Sequence, residues 1–202
     1  SCIYPKEINK SINEKDLLSG SLEITNQSYA IAKIAGVEVC RAFNKQHSTK
    51  WLAVMPANLY GPGDSYDLHN SHVMAALVRK FVEAAADNAS EVELWGNGNT
   101  RREFLYVDDL ADACIFFMNK KTKEFLINIG TGNDFTIKEY VKIISKIIIP
   151  KKKFSIKYDK KKPNGTPRKV LDISLALKYG WKSKTKLEKA IKLTYQNYIK
   201  EK

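Results

Sequence analysis

Long hydrophobic runs are missing from this 202-residue chain. The most apolar stretch, Ile143 to Pro150, is broken by Ser145 and Lys146 and falls far short of the roughly 18 to 20 residues of a membrane span, which argues against an integral membrane protein. Cysteine is scarce. Cys2, Cys40 and Cys114 are odd in number and widely spaced, with no CxxC pair, so they read as reduced thiols of a cytoplasmic protein and no metal site is expected. The first residues, Ser-Cys-Ile-Tyr-Pro-Lys, lack an initiator Met, a basic n-region and an apolar h-region, so the chain is expected to begin mid-protein. No GxGxxG or GxxGxxG occurs: Gly96-Asn97-Gly98 precedes a strand-like segment, and Gly130-Thr131-Gly132 lacks the third glycine. The glycine-rich turn that seats a dinucleotide pyrophosphate at a helix N-terminus is therefore not in this sequence.

What is present suits a globular core: 44% hydrophobic, 28% charged and 10% aromatic residues. The formal charge of +12 looks like a nucleic-acid signal until it is divided along the chain. Residues 1–119 carry 11 basic and 15 acidic side chains, and residues 120–202 carry 23 and 7, so all of the excess lies in the last 83 residues. Only 5 of the 34 basic residues are Arg, the opposite of what bidentate phosphate or base recognition favours. The lysine runs 151–153 and 160–162 read as solvated faces that can still attract a nucleotide.

Short apolar runs alternate with amphipathic segments, the pattern of an α/β protein. Residues 1–4 read as the carboxyl end of a strand and 5–26 as a polar loop. Ala30, Ile31, Ile34, Ala35, Val39, Ala42 and Phe43 recur at helical spacing and predict a helix over 28–46, capped by Asn26 or Ser28. Residues 51–55 read as a strand, 56–65 as a loop, and 72–86 as a helix. Residues 92–95 and 103–106 read as strands about the Gly96–Asn99 turn. A helix begins at Asp108 or Asp109 and runs through Phe117; 125–129 is a strand, 136–147 a helix, 154–158 a strand, and 186–199 a final helix.

Tyr29 and Lys33 stand four apart near the start of the first helix, on one face. A phenol with a pKa of about 10 is a poor acid or base at neutral pH, and a nearby ammonium stabilises its phenolate. Such a pair can pass a proton to or from a sugar oxygen while a hydride moves. Many helices carry this pair on their surface. Here the neighbouring segments, a Ser-Cys strand end and a Pro-Ala-Asn-Leu-Tyr-Gly-Pro loop after the next strand, add weight, because open parallel sheets collect ligands at carboxyl strand ends.

Ser1–Pro5, Ser28–Gly36, Met55–Pro62, Asn70–Val73, Trp95-Gly96, Arg102–Asp109 and Lys162–Lys169 together resemble the GDP-L-fucose synthase family of extended short-chain dehydrogenases/reductases. The likeness runs in order along almost the whole chain and corresponds to the C-terminal two-thirds of such enzymes. It implies a Rossmann-like doubly wound parallel sheet without its N-terminal glycine-rich βαβ units. Residues 1–61 and 102–130 then form the remaining part of an NADP-binding domain, and 62–101 with 131–202 a smaller α/β lobe for a GDP-sugar.

The resemblance also implies roles. Cys2 would be the base and His72 the acid of a 3,5-epimerisation beside a 4-ketone; a thiol near 8.5 and an imidazole near 6.5, about their ordinary pKa values, both exchange protons near neutrality. Tyr29 would give the proton in the following NADPH-dependent 4-keto reduction, with Lys33 beside the nicotinamide ribose. Ser1, Pro56, Ala57, Asn58, Leu59 and His72 would face the cofactor NADP(H). Lys80, Trp95, Arg102, Asn164 and Lys169 would face the substrate, Arg102 offering a planar fork to a diphosphate. Lys80 stands where the family commonly has Arg, and Asn164 where it commonly has Asp. A homodimer in the cytoplasm is implied, with no nucleic-acid or membrane partner, and the chain by itself is expected to be inactive or impaired. Two alternatives stay open: another sugar-nucleotide epimerase or dehydratase, against which Cys2 with His72 argues, and a basic nucleic-acid-binding remnant, against which the scarcity of Arg argues.

Overall fold

The computed structural model describes residues 1–67, 71–151, 155–162 and 165–202. Helix α1 (Gln27–His47) leads into strand β1 (Ala53–Pro56), the short β2 (Asn58–Tyr60) and α2 (Val73–Ala86); β3 (Glu91–Trp95), β4 (Arg101–Arg102), β5 (Phe104–Tyr106), α3 (Val107–Met118) and β6 (Leu126–Ile129) follow. The chain closes with β7 (Phe135–Thr136), α4 (Ile137–Ile148), β8 (Ser155–Asp159), β9 (Arg168–Lys169), α5 (Ser174–Tyr179) and α6 (Leu187–Glu201).

Pairing is mostly parallel and non-local. β1 pairs with β6, β2 with β5 and β3 with β8, all parallel, while β4 lies between antiparallel β7 and parallel β9. Parallel neighbours need crossovers, and the helices supply them. One apolar core gathers Ile34 and Val37 of α1, Met55 of β1, Leu105 of β5, Phe117 of α3, Ile127 of β6 and Trp181. A second gathers Met74, Leu77 and Phe81 of α2, Leu94 of β3, Tyr140 and Ile144 of α4, and Ile191 of α6. β5 serves both, because alternate side chains point to opposite faces: Leu105 enters the first core, Phe104 and Tyr106 the second.

Each long helix follows from its apolar period. α4 is also fixed by its start, where the Thr136 hydroxyl accepts from the Glu139 N–H and the Glu139 carboxylate accepts from the Thr136 N–H. In α1 the structure buries Ala30, Ile34 and Val37, and leaves Ile31, Ala35, Val39, Ala42 and Phe43 outward. Asn26 is its N-cap, without a capping side-chain bond.

Several sequence expectations are corrected. Residues 1–4 form a turn, the Tyr4 N–H donating to the Ser1 carbonyl, rather than a strand end. The strands about the Gly96–Asn99 turn are three, β3, β4 and β5, and their partners are β8, β7, β9 and β2, all distant in sequence. The segment 56–65 is not all loop, since β2 lies within it, and β4, β7, β9 and α5 went unrecognised. These pieces span two to six residues, too few to show a period of their own. Phe154 lies outside the described residues.

Candidate active site

The chain changes partners between β1 and β2. Ala57 still donates to Ile129 at the end of the β1–β6 pair, and one residue later Asn58 pairs with Phe104 of β5. The Asn58 side-chain amide fastens the switch by donating to the Glu103 carbonyl at 3.0 Å. A crevice opens at such a point in a parallel sheet. Here it is a cleft of about 350 Å³ lined by Ser1, Cys2, Tyr29, the segment 56–64, His72 and Val107.

Its far wall is a tight turn. Gly61 adopts φ +150, and a Cβ there would lie 2.5 Å from Val107 Cγ1, so no side chain fits without moving α3. Gly63, at φ +78, donates its N–H to Asn197 Oδ1 of α6 at 3.3 Å. The turn delivers Asp64 to the mouth of the cleft, facing His72, the N-cap residue of α2.

Eight sequence-predicted residues therefore meet: Ser1, Cys2, Tyr29, Pro56, Ala57, Asn58, Leu59 and His72. Tyr29 is 52% exposed and Cys2 half-buried. Lys33 places its ammonium 5.6 Å from the centre of the Tyr29 ring, over its face. The His72 side chain is 79% exposed, with Nδ1 3.7 Å from Asp64 Oδ1. The Ser1 nitrogen donates to the Pro56 carbonyl at 2.8 Å, tying the first turn to the partner switch.

Lys80, Trp95, Arg102 and Lys169 lie outside the cleft lining. Arg102 and Lys169 are opposite one another in the β4–β9 register. Arg102 donates to the Arg101 and Thr166 carbonyls, and burial holds its pKa below the ordinary value. Burial likewise pushes the Lys169 ammonium down, with the Cys2 thiol opposing and Arg102 reinforcing the shift. Lys80 donates to the Glu93 carbonyl of β3 at 2.7 Å, and burial depresses its pKa too. Trp95, on the outward face of β3, is 60% exposed under the Lys162 ammonium, 5.0 Å from its ring centre. Asn164 and Asn70 lie outside the described residues. Sequence reasoning missed Asp64, Gly61 and Val107; the Gly61-Pro-Gly63-Asp64 run was the available signal.

Polar groups behind the cleft are, by contrast, tightly bonded. The Glu103 carboxylate, in a residue only 1% exposed, accepts from the N–H groups of Thr131, Gly132 and Leu171. Burial raises its pKa against the pull of those donors. The side-chain amide of buried Asn128 donates to Ile12 and Asp172 carbonyls and accepts from the Tyr4 hydroxyl at 2.6 Å. Asp134, between Arg101 and Arg168, has its pKa lowered to about 2, chiefly by the Arg168 hydrogen bond. Among the described residues no group of three or more His, Cys, Asp or Glu could hold a metal ion, and no helix is long and apolar enough to cross a membrane.

Known proteins match this arrangement closely. A probable GDP-L-fucose synthase of Oryza sativa subsp. japonica is 47% identical over 199 residues, covering 98% of this chain and 60% of that protein. A GDP-L-fucose synthase of Escherichia coli is 45% identical over 208 residues, covering 98% and 64%. A solved GDP-mannoheptose C4 reductase from Campylobacter jejuni with NADP bound superposes with a TM-score of 0.83 at 30% identity, covering 98% of this chain and 67% of that one. The chain thus spans about three-fifths of the length of the curated relatives it matches. The sequence pattern described as the NAD dependent epimerase/dehydratase family matches residues 1–130, and with the parallel α/β fold and the cleft at the strand switch this places the chain in that family.

Proposed function

We propose that the protein containing this chain converts GDP-4-keto-6-deoxy-D-mannose to GDP-L-fucose, by inverting C3 and C5 beside the ketone and then reducing C4. The observation that carries this is the meeting of Cys2, Tyr29 and His72 in one cleft from three distant stretches of sequence. Inversion needs a proton removed from one face of the sugar carbon and returned to the other, which calls for two groups that exchange protons near neutrality. Cys2 serves as base and His72 as acid. Tyr29 gives the proton to the C4 oxygen, and Lys33, stacked on its ring, brings positive charge beside it. A simple dehydratase or 4-epimerase has no use for the Cys2 and His72 pair.

The cleft suits the nicotinamide end of NADP(H). Pro56, Ala57, Leu59 and Val107 provide a mostly apolar wall against which a flat ring can rest, next to Tyr29. Residues Ser1, Lys33 and Asn58 would complete that subsite. When bound, NADP(H) supplies the hydride for the ketone carbon. Its pyrophosphate calls for a glycine-rich turn that this sequence does not contain, so full activity is assigned to this chain joined to such a unit. Residues 1–61 with 102–130 would belong to the cofactor domain, and 62–101 with 131–202 to the sugar lobe.

Arg102 and Lys169, side by side, supply positive charge for a diphosphate, while Trp95 and Lys80 border the sugar-nucleotide. The outward face of α1, with Ile31, Ala35, Val39 and Phe43, offers an apolar stripe for a second subunit of a cytoplasmic homodimer.

The test is product analysis with this ketosugar and NADPH. Cys2→Ser should suppress inversion at C3 and C5. Tyr29→Phe should slow NADPH oxidation by on the order of 10²- to 10⁴-fold, the usual size of a general-acid contribution. Equal loss of both steps in each variant would contradict the division of roles.

A further inference from the structure

Asp64 sits at the mouth of the cleft with its side chain 13% exposed, and the fates of its two carboxylate oxygens differ. Oδ1 accepts from the Ser65 N–H at 2.8 Å and lies 3.7 Å from His72 Nδ1. Oδ2 is buried, and among the described residues it is the one buried side-chain N or O atom with no hydrogen-bond partner. A carboxylate oxygen shut away from water without a donor is costly, and native structures seldom leave one so without a reason. The His72 imidazole faces this carboxylate, with Nδ1 3.7 Å from Oδ1, and a shift of about 0.5–1 Å would bring the two to hydrogen-bond distance.

The backbone around this pair is stiff on the acid's side and free on the imidazole's side. Gly61 is pinned against Val107 and Gly63 is held by Asn197, so Asp64 has little room to move. His72 is only an N-cap residue with a largely exposed side chain, so its ring turns easily. Other titratable and charged groups about it are Cys2 and Tyr29 across the cleft, and Tyr66 and Asp67 on the preceding loop. Arg79, farther along α2, is taken up by Glu83 and the Tyr66 carbonyl.

We propose that Asp64 is the positioning residue for His72: its carboxylate accepts the Nδ1–H of the imidazolium, so that Nε2–H faces the cleft as the proton donor, and the neutral ring left after donation is the Nδ1–H tautomer. This rests on His72 being the acid of the inversions. A free neutral histidine carries its proton mainly on Nε2, so an Nδ1–H tautomer calls for a partner that holds Nδ1–H. Proton return to the sugar then depends on Asp64 through orientation, while the tyrosine-dependent reduction does not.

The experiment uses the full-length protein. Histidine ring ¹⁵N spectra, with the His72 signals assigned by their absence in His72→Asn, should show the Nδ1–H tautomer in the parent and its loss in Asp64→Asn, with recovery in Asp64→Glu. In parallel, solvent deuterium entry at C3 and C5 should fall about tenfold in kcat for Asp64→Asn with KM changed less than about twofold. A merely structural Asp64 would leave the tautomer where it was, and an unchanged tautomer in folded Asp64→Asn overturns the proposal. If His72→Asn leaves deuterium entry intact, the assignment of His72 as acid fails, and Asp64 loses its role even where the tautomer responds.

Discussion

Tyr29 and His72 in the cleft present 52% of a residue and 79% of a side chain to solvent, whereas Glu103, where the two cores meet at β5, is 1% exposed with three backbone N–H groups on its carboxylate. Both regions are polar and both draw on distant parts of the chain. In the seam around Glu103 and Asn128 the polar atoms are spent on the protein itself, which makes it a fastening. In the cleft they are left for something else. On the proposed function, the difference separates groups kept for stability from groups kept for chemistry, and each can be disturbed without the other.

The largest expected effect breaks the comparison on the cleft side: Tyr29→Phe lowers reduction by orders of magnitude while leaving the urea midpoint unchanged, because an exposed phenol hydroxyl supports no contact in the core. On the seam side, Glu103→Gln should do the reverse to stability. Its amide would turn N–H donors toward the N–H groups of Thr131 and Gly132 or of Leu171, costing about 1–3 kcal/mol in chemical denaturation.

A smaller effect sharpens the picture through pH. Asp134 titrates at about 2 in the folded protein, below the ordinary carboxylate value of 3.8, because Arg168 and Arg101 hold its charged form. Its contribution is fully present above pH 3.8 and is lost as pH falls toward 2. Asp134→Asn should therefore be less stable than the parent near neutrality, by about 1 kcal/mol given the half-exposed arginines, and the two should converge in acid unfolding curves toward pH 2.

The helices were legible because amphipathic period is local: α1, α2, α4 and α6 fall within a residue or two of where Ala30, Ile34, Leu77, Ile144 and Ile191 predict them. Most of the cleft lining was legible as well, since Cys2, Tyr29, Pro56–Leu59 and His72 lie in contiguous blocks that carry the family resemblance. The partners of Glu103 and Asn128 were not, because the N–H of Leu171 and the carbonyl of Ile12 have no residue-type signature. Short strands such as β2 owe their existence to a neighbour 46 residues away, Phe104 for Asn58, and not to their own sequence. Asp64 was hidden for a related reason: in sequence it is one polar residue of a Gly-Pro turn, and only folding shows its Oδ1 facing His72 and its Oδ2 buried without a partner.

The proposed function rests on separate proton-transfer groups sharing one open cleft. Its most direct test is Tyr29→Phe of the full-length protein, incubated in D₂O with the 4-keto GDP-sugar and followed by NMR at C3 and C5. Deuterium should enter both carbons at close to the parental rate while NADPH oxidation all but stops. Loss of deuterium entry together with reduction, in a variant that remains folded, would contradict it.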